Sequence, residues 1–87
     1  MAMPRQPLLR VGSVLRTRRS ELGISQLELA HRARVSARTV QEIERNAAAN
    51  PTLETLDRLA EGLHMTLTEI VERLIEEDAD DDLEEDS

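Results

Sequence analysis

Apolar side chains recur at steps of three and four residues in five stretches of the chain, the period of a helix buried along one face. The first stretch carries Leu8, Val11, Val14, Leu15 and Leu22, and predicts a helix over about residues 8–22. Gly23 follows it, a residue free to take the left-handed backbone that ends helices. Ser25 with Glu28 three positions later is the pattern of a capping box, which opens a second helix at Gln26 and turns Leu27, Ala30 and Ala33 inward. Ser36 is the expected cap of a third, short helix with Val40 and Ile43 on its inner side. Pro51 and Thr52 introduce a fourth, in which Leu53, Leu56, Leu59, Ala60 and Leu63 repeat at helical spacing. Thr66 and Glu69 make another capping box and open a fifth at Leu67, with Ile70, Val71, Leu74 and Ile75 along one stripe. The expected fold is all-α, a bundle of five helices.

Two features of this pattern point outward. The second and third helices are separated only by a tight turn at Arg34 and Val35, and Ala30 supplies the small side chain that two crossing helices need. The outer face of the third helix then carries Ala37, Arg38, Gln41, Glu42 and Arg45, a polar and mostly long-armed set. Two short helices at a steep angle form a helix-turn-helix, whose second helix enters a DNA major groove. The fifth helix has more apolar surface than a small domain can bury, so Val71, Leu74 and Ile75 are expected to pack across a two-fold axis against a second copy of the chain.

Composition narrows the chemistry. A chain of 87 residues makes one small domain whose single core leaves a few kcal/mol of net stability. With no cysteine, neither a disulfide framework nor a thiolate zinc site can act as a staple, and the two histidines are too far apart to suggest a metal site. With no aromatic residue, there is no stacking platform of the kind used on single strands or RNA loops. A nucleophile needs a base beside it and a walled site, and only short turns exist to build one, so no enzyme and no cofactor is expected. Apolar runs are short and no signal-peptide core is present, which reads as a cytoplasmic protein without a membrane partner.

The net charge of −7 would argue against nucleic acid if it were evenly spread. Residues 1–45 instead hold nine Arg and four Glu, residues 46–75 two Arg against five acids, and residues 76–87 nine acids and no base. The positive charge therefore lies on the half that holds the helix-turn-helix. Residues 1–7 read as a flexible arm, 8–77 as the folded domain and 78–87 as a disordered acidic tail, with Arg5 and Arg10 placed to brush phosphates. All eleven basic residues are arginine, which suits bidentate contacts to phosphate and guanine, although a GC-rich genome produces the same bias.

Gln26, Ala30, Val35, Ser36, Thr39-Val40 and Ile43-Glu44-Arg45 fall at the spacing of the Xre/Cro family of lambda-repressor-like DNA-binding domains, and the match extends over about residues 9–71. The resemblance implies that Gln26 clamps a phosphate and that Ser36, Thr39 and Arg45 touch the DNA backbone. It places Ala37, Arg38, Gln41 and Glu42 at base edges. Arg38 is the strongest candidate there, since a guanidinium forks onto guanine O6 and N7. The alternatives are a solvated Arg38 paired with Glu42, and a Gln26 that merely starts a helix. The resemblance also pairs Arg19 with Glu44 in a partly buried salt bridge. Where the family has glycine, this chain has Arg34 in the turn, Asn46 after the third helix and His64 near the end of the fourth. A left-handed backbone at Arg34 would cost about 1 kcal/mol.

The function implied is sequence-specific binding of double-stranded DNA by a homodimeric transcriptional regulator on an inverted repeat. Phage-type repressors, restriction–modification controller proteins and antitoxins share this size, and the IERN…NPT segment looks most like the controllers. The competing expectation is a partner-binding module, in which the fifth helix and the acidic tail engage another protein.

Overall fold

The computed structural model describes residues 11–45 and 50–86, with side chains as far as Glu76. Its helices are α1 (Val11–Leu22), α2 (Gln26–Ala33), α3 (Ala37–Arg45), α4 (Leu53–Gly62) and α5 (Leu67–Asp86), and no strand occurs among the described residues. Arg5, Leu8, Arg10 and Asn46, to which the sequence reading gave roles, lie outside them. Among the described residues no helix is long and apolar enough to cross a membrane.

Three of the helices stop in the same way. After α1 the Ile24 N–H donates to the Arg19 carbonyl and the Gly23 N–H to that of Ser20, both at 3.1 Å. After α2 the donors are Val35, to Ala30 at 3.0 Å, and Arg34, to His31 at 3.3 Å. After α4 they are Met65, to Ala60 at 2.8 Å, and His64, to Glu61 at 3.0 Å. Each stop turns on one left-handed residue, with φ of 69° at Gly23, 59° at Arg34 and 58° at His64. The residue after each is apolar, and Ile24, Val35 and Met65 all fold back onto the core. That hydrophobic return offsets the left-handed strain at Arg34 and His64.

The starts follow the caps read from the sequence, with one difference. Thr66 and Glu69 exchange both bonds of a capping box, at 3.1 and 2.8 Å. Thr52 Oγ1 accepts from the Thr55 N–H at 3.1 Å. Ser25 Oγ accepts from the Glu28 N–H at 3.0 Å, but the Glu28 carboxylate pairs with Arg32 instead of reaching back.

The core is built from Val11, Val14, Leu15, Leu29, Ala30, Ala33, Val40, Ile43, Leu56, Leu59, Ala60, Leu63, Met65, Ile70 and Leu74. Around it α2 packs on α3 and α4, α1 on α3 and α5, and α4 on α5. Three expectations are corrected here. Leu27 is 69% exposed and Leu29 takes its place, because Leu29, Ala30 and Ala33 share one side of α2 while Leu27 lies about 200° round the helix from Leu29. Leu53 is 72% exposed in the first turn of α4. Leu74 is 2% exposed and belongs to the core of its own chain, stacked one turn beyond Ile70. Of the expected dimer stripe only Val71 and Ile75 face outward, at 45% and 57% exposed. The helix α5 carries on into the acidic segment as far as Asp86. No glycine or proline follows Leu63, so nothing local interrupts the helix.

Two glycines missed by the apolar pattern set helix separations. A Cβ on Gly12 would stand 2.3 Å from the Ile43 carbonyl oxygen, and one on Gly62 3.0 Å from Leu29 Cδ1. The α1–α3 and α4–α2 crossings are therefore backbone-close. Across the first crossing runs a buried ion pair: Arg19 Nε donates to Glu44 Oε2 and its Nη2 to Oε1, each at 2.8 Å. The same guanidinium donates from Nη1 to the Ile24 carbonyl at 3.0 Å, tying in the α1–α2 turn. Arg16 Nη2 donates to the Glu44 backbone oxygen at 2.7 Å, at the negative end of α3. Arg73 of α5 reaches Glu21 of α1 at 3.1 Å, while Arg18 Nε donates to the Leu63 carbonyl at 3.0 Å.

Backbone substitutions of opposite sign are expected from this geometry. Gly12→Ala should overpack the α1–α3 crossing and cost about 1–3 kcal/mol. Arg34→Gly should relieve a left-handed side chain and stabilise by up to about 1 kcal/mol. Urea midpoints with unchanged m-values check both.

The pH response follows from Glu44. Burial pushes its carboxyl up, but hydrogen bonds from Arg19 and Gln26 and the charges of Arg19 and Arg16 outweigh burial and hold it below the usual carboxylate range. A depressed native value contributes stability that is present above the unfolded value, about 4.3, and is lost as pH falls through the native one. The urea midpoint of the parent should therefore drop more steeply below about pH 4.3 than that of Glu44→Gln, which lacks this group. Equal slopes would remove Glu44 from the acid response.

Candidate nucleic-acid interface

The turn after α2 delivers Ser36 as the cap of α3. Ser36 Oγ accepts from the Thr39 N–H at 3.1 Å, and the two hydroxyls lie 2.9 Å apart. Both side chains are thus committed to the helix start, with their remaining lone pairs and protons at its mouth. From there α3 divides into two faces. Val40, Ile43 and Glu44 are buried, and Ala37 packs against the core at partial exposure. Arg38, Gln41 and Arg45 are exposed and Glu42 half-buried, at the i, i+3, i+4, i+7 spacing of one helix side.

The alternative pairing of Arg38 with Glu42 is not made. Glu42 Oε1 accepts instead from Arg45 Nη2 at 2.8 Å, and Arg38 forms no ion pair with a described residue. Among the described residues no acid occupies the guanidinium at the start of α3. An exposed pair such as Glu42–Arg45 is worth about 0–1 kcal/mol, so a phosphate can displace Glu42 from Arg45 at small cost. Beside this face lies a cleft of about 410 Å³ between α3 and the start of α4, lined by Arg38, Thr39, Glu42, Pro51, Thr52 and Thr55. The sequence pattern marks Thr52 only as a cap and gives no signal for Thr55. Their place beside Arg38 depends on how α4 docks, which no local pattern reports.

Gln26 is the first residue of α2 and stands apart from the α3 face. Its Nε2 donates to Glu44 Oε1 at 3.0 Å, the oxygen that also accepts from Arg19. The structure thus joins the expected phosphate clamp to the buried ion pair, a link the sequence reading lacked because it spans 18 positions. No group of three or more His, Asp or Glu that could hold a metal ion occurs among the described residues.

The geometry agrees with what the chain resembles among known proteins. The family model described as Helix-turn-helix matches residues 15–70. The wild-type restriction–modification controller protein C.Esp1396I has a similar structure, with a TM-score of 0.77 and 28% identity, over 88% of this chain and 99% of that one. A serine-to-alanine variant of that controller aligns with a TM-score of 0.77 and 30% identity, over 85% of this chain and 95% of its own. A tyrosine-to-phenylalanine variant bound to its highest affinity operator site aligns at 0.76 and 30% identity, over 85% and 96%. No curated protein matches the chain in sequence. Two short helices crossing at a tight turn, inside a five-helix unit that matches the family over most of its length, place this chain in the Xre-type helix-turn-helix family of lambda-repressor-like DNA-binding domains.

Proposed function

We propose that the chain is a sequence-specific double-stranded DNA-binding transcriptional regulator, acting in the cytoplasm as a homodimer on an inverted-repeat operator. The outer face of α3 carries this reading: an exposed Arg38 without an ion pair to a described residue, followed by Gln41 and Arg45 on the same side. The likeness to a controller protein seen on its operator favours restriction–modification control over the phage-repressor and antitoxin alternatives.

In this reading the residues divide the work. Arg38 forks onto a guanine, with Gln41, Glu42 and the half-buried Ala37 flanking it in the groove. Gln26, Ser36, Thr39 and Arg45 hold the DNA backbone and set the register. Val71 and Ile75 form the apolar part of a symmetric α5 contact, with Leu74 supporting it from inside the monomer. A two-fold dimer of this kind presents its α3 helices to half-sites about one helical turn apart. The acidic end of α5 repels DNA at long range, and it offers a handle for a protein partner.

Arg38→Ala should cost about 1–3 kcal/mol on the operator and relax preference at one base pair, while random duplex is bound almost as before. Equal losses on operator and random duplex would withdraw the base-reading role. Arg45→Ala should weaken all duplexes and reduce the log–log salt slope by about 1. Competition binding at two salt concentrations reads both, and an affinity indifferent to salt would favour a protein-binding module.

The α5 contact makes a separate prediction. Ile75→Glu should leave the fold intact and yield a monomer that holds half-sites weakly, whereas Leu74→Glu should unfold the chain by placing a charge in the core. Sedimentation at tens of micromolar, with circular dichroism for folding, distinguishes these. A parent protein that sediments only as monomer would remove the dimer.

A further inference from the structure

Glu44 is buried to 6% exposure, yet its carboxylate does more than close the salt bridge to Arg19. Oε1 takes two donors, Arg19 Nη2 at 2.8 Å and Gln26 Nε2 at 3.0 Å. The Gln26 amide therefore has one hydrogen committed to the interior. Its second hydrogen and its carbonyl have no partner among the described residues, and the side chain is half-exposed. A glutamine at the start of a helix ordinarily samples many rotamers, and ordering it on a ligand is part of the cost of binding.

We propose that Glu44 is a positioning residue for DNA: it anchors the Gln26 amide so that the second N–H stands ready for a backbone phosphate. This inference rests on the DNA-binding reading given above, and it assigns Glu44 a role beyond holding α1 to α3. The acceptor that fixes Gln26 is itself fixed by two bonds from Arg19, so the clamp is set by the packing of three helices. The glutamine is then ordered during folding and does not have to be ordered on DNA. Ordering one such side chain corresponds to about two- to tenfold in Kd.

Binding of the full chain to a random-sequence duplex, at one fixed salt concentration, tests the assignment with three variants. Gln26→Asn keeps the amide but is one methylene too short to span both Glu44 and a phosphate. It should lose about two- to tenfold, as much as Gln26→Ala. Glu44→Asp keeps the net charge and leaves long-range attraction to DNA unchanged, but draws the carboxylate away from Gln26. It should lose the same factor in the parent background and nothing further when combined with Gln26→Ala. The Gln26 side-chain amide signals of the free protein supply a readout independent of stability. They should lie away from free-amide positions in the parent and move to them in Glu44→Asp. If Glu44→Asp does not fold, Gln26→Asn and the parent amide signals still decide. Parent-like affinity of Gln26→Asn, additive losses in the double variant, or free-amide signals in the parent would each overturn the inference alone. A parent chain with no affinity for any duplex would overturn the DNA reading and this inference with it.

Discussion

The ion pair between Arg19 and Glu44 is the constraint on which the rest of the domain depends. It is bidentate, with both bonds at 2.8 Å, and the acid is almost wholly removed from water. A buried pair of this kind is not a large net source of stability, because desolvation consumes much of the Coulomb gain. Its effect is on direction. Removing one partner leaves a buried charge at a cost of about 3–5 kcal/mol, so arrangements of α1 and α3 that break the pair are strongly disfavoured. The close approach at Gly12 fixes the distance between the same two helices, and Arg16 on the Glu44 carbonyl fixes the end of α3. A core with no aromatic side chain offers few large shapes to define a unique packing. Polar geometry supplies the definition that bulky side chains would otherwise give.

Most of the fold was legible because most of it is local. Caps at Ser25, Ser36, Thr52 and Thr66 announce helix starts within four residues of sequence, and each is hydrogen-bonded as that chemistry requires. The helix end at Gly23 was legible locally, and Arg34 and His64 take the left-handed backbone at the positions where the resembled family has glycine. What failed was the choice between neighbouring apolar positions. Leu27 and Leu29 both fit a short helix, and the side of α2 that packs on α4, where Leu29 meets Gly62, is the one that is covered. Leu74 and Ile75 pose the same ambiguity on α5, where Ile70 pulls Leu74 inward. The candidate site was legible on α3, whose two faces differ sharply in polarity. The link between Gln26 and Glu44 was not legible, nor was the cleft beside Thr52 and Thr55, because those neighbours are brought together only by helix docking.

Charge is partitioned along the chain in a way that matches this architecture. Arginines of α1 are spent on internal carbonyls and acids: Arg16 on Glu44, Arg18 on Leu63 and Glu21, and Arg19 on Glu44 and Ile24. Arg32 and Arg58 pair within their own helices. The positive charge of the first 45 residues is therefore less available than its count suggests. Arg34 in the turn, Arg38 and the weakly held Arg45 are the exposed arginines of this half that no internal acid or carbonyl among the described residues holds firmly. An overall negative chain can still present a slightly basic helix face, here Arg38 and Arg45 against Glu42, since screening limits the reach of distant acids to about 8–10 Å at moderate salt.

The two faces of α3 carry separate tasks. Val40, Ile43 and Glu44 engage the core and the ion pair, while Arg38, Gln41 and Glu42 make few internal bonds. Exchanging the second set changes what the helix presents without disturbing the first, so that face can vary at little cost in folding. Gln26 is the exception, since its amide belongs to the internal network through Glu44 while its second hydrogen has no partner among the described residues. A change there touches both, and a change at Glu44 reaches the surface without any exposed atom being replaced. The packing of α3 on α1 and the placement of the Gln26 amide thus meet at the same buried carboxylate, so the fold fixes where these groups stand while the outer face of α3 can vary independently.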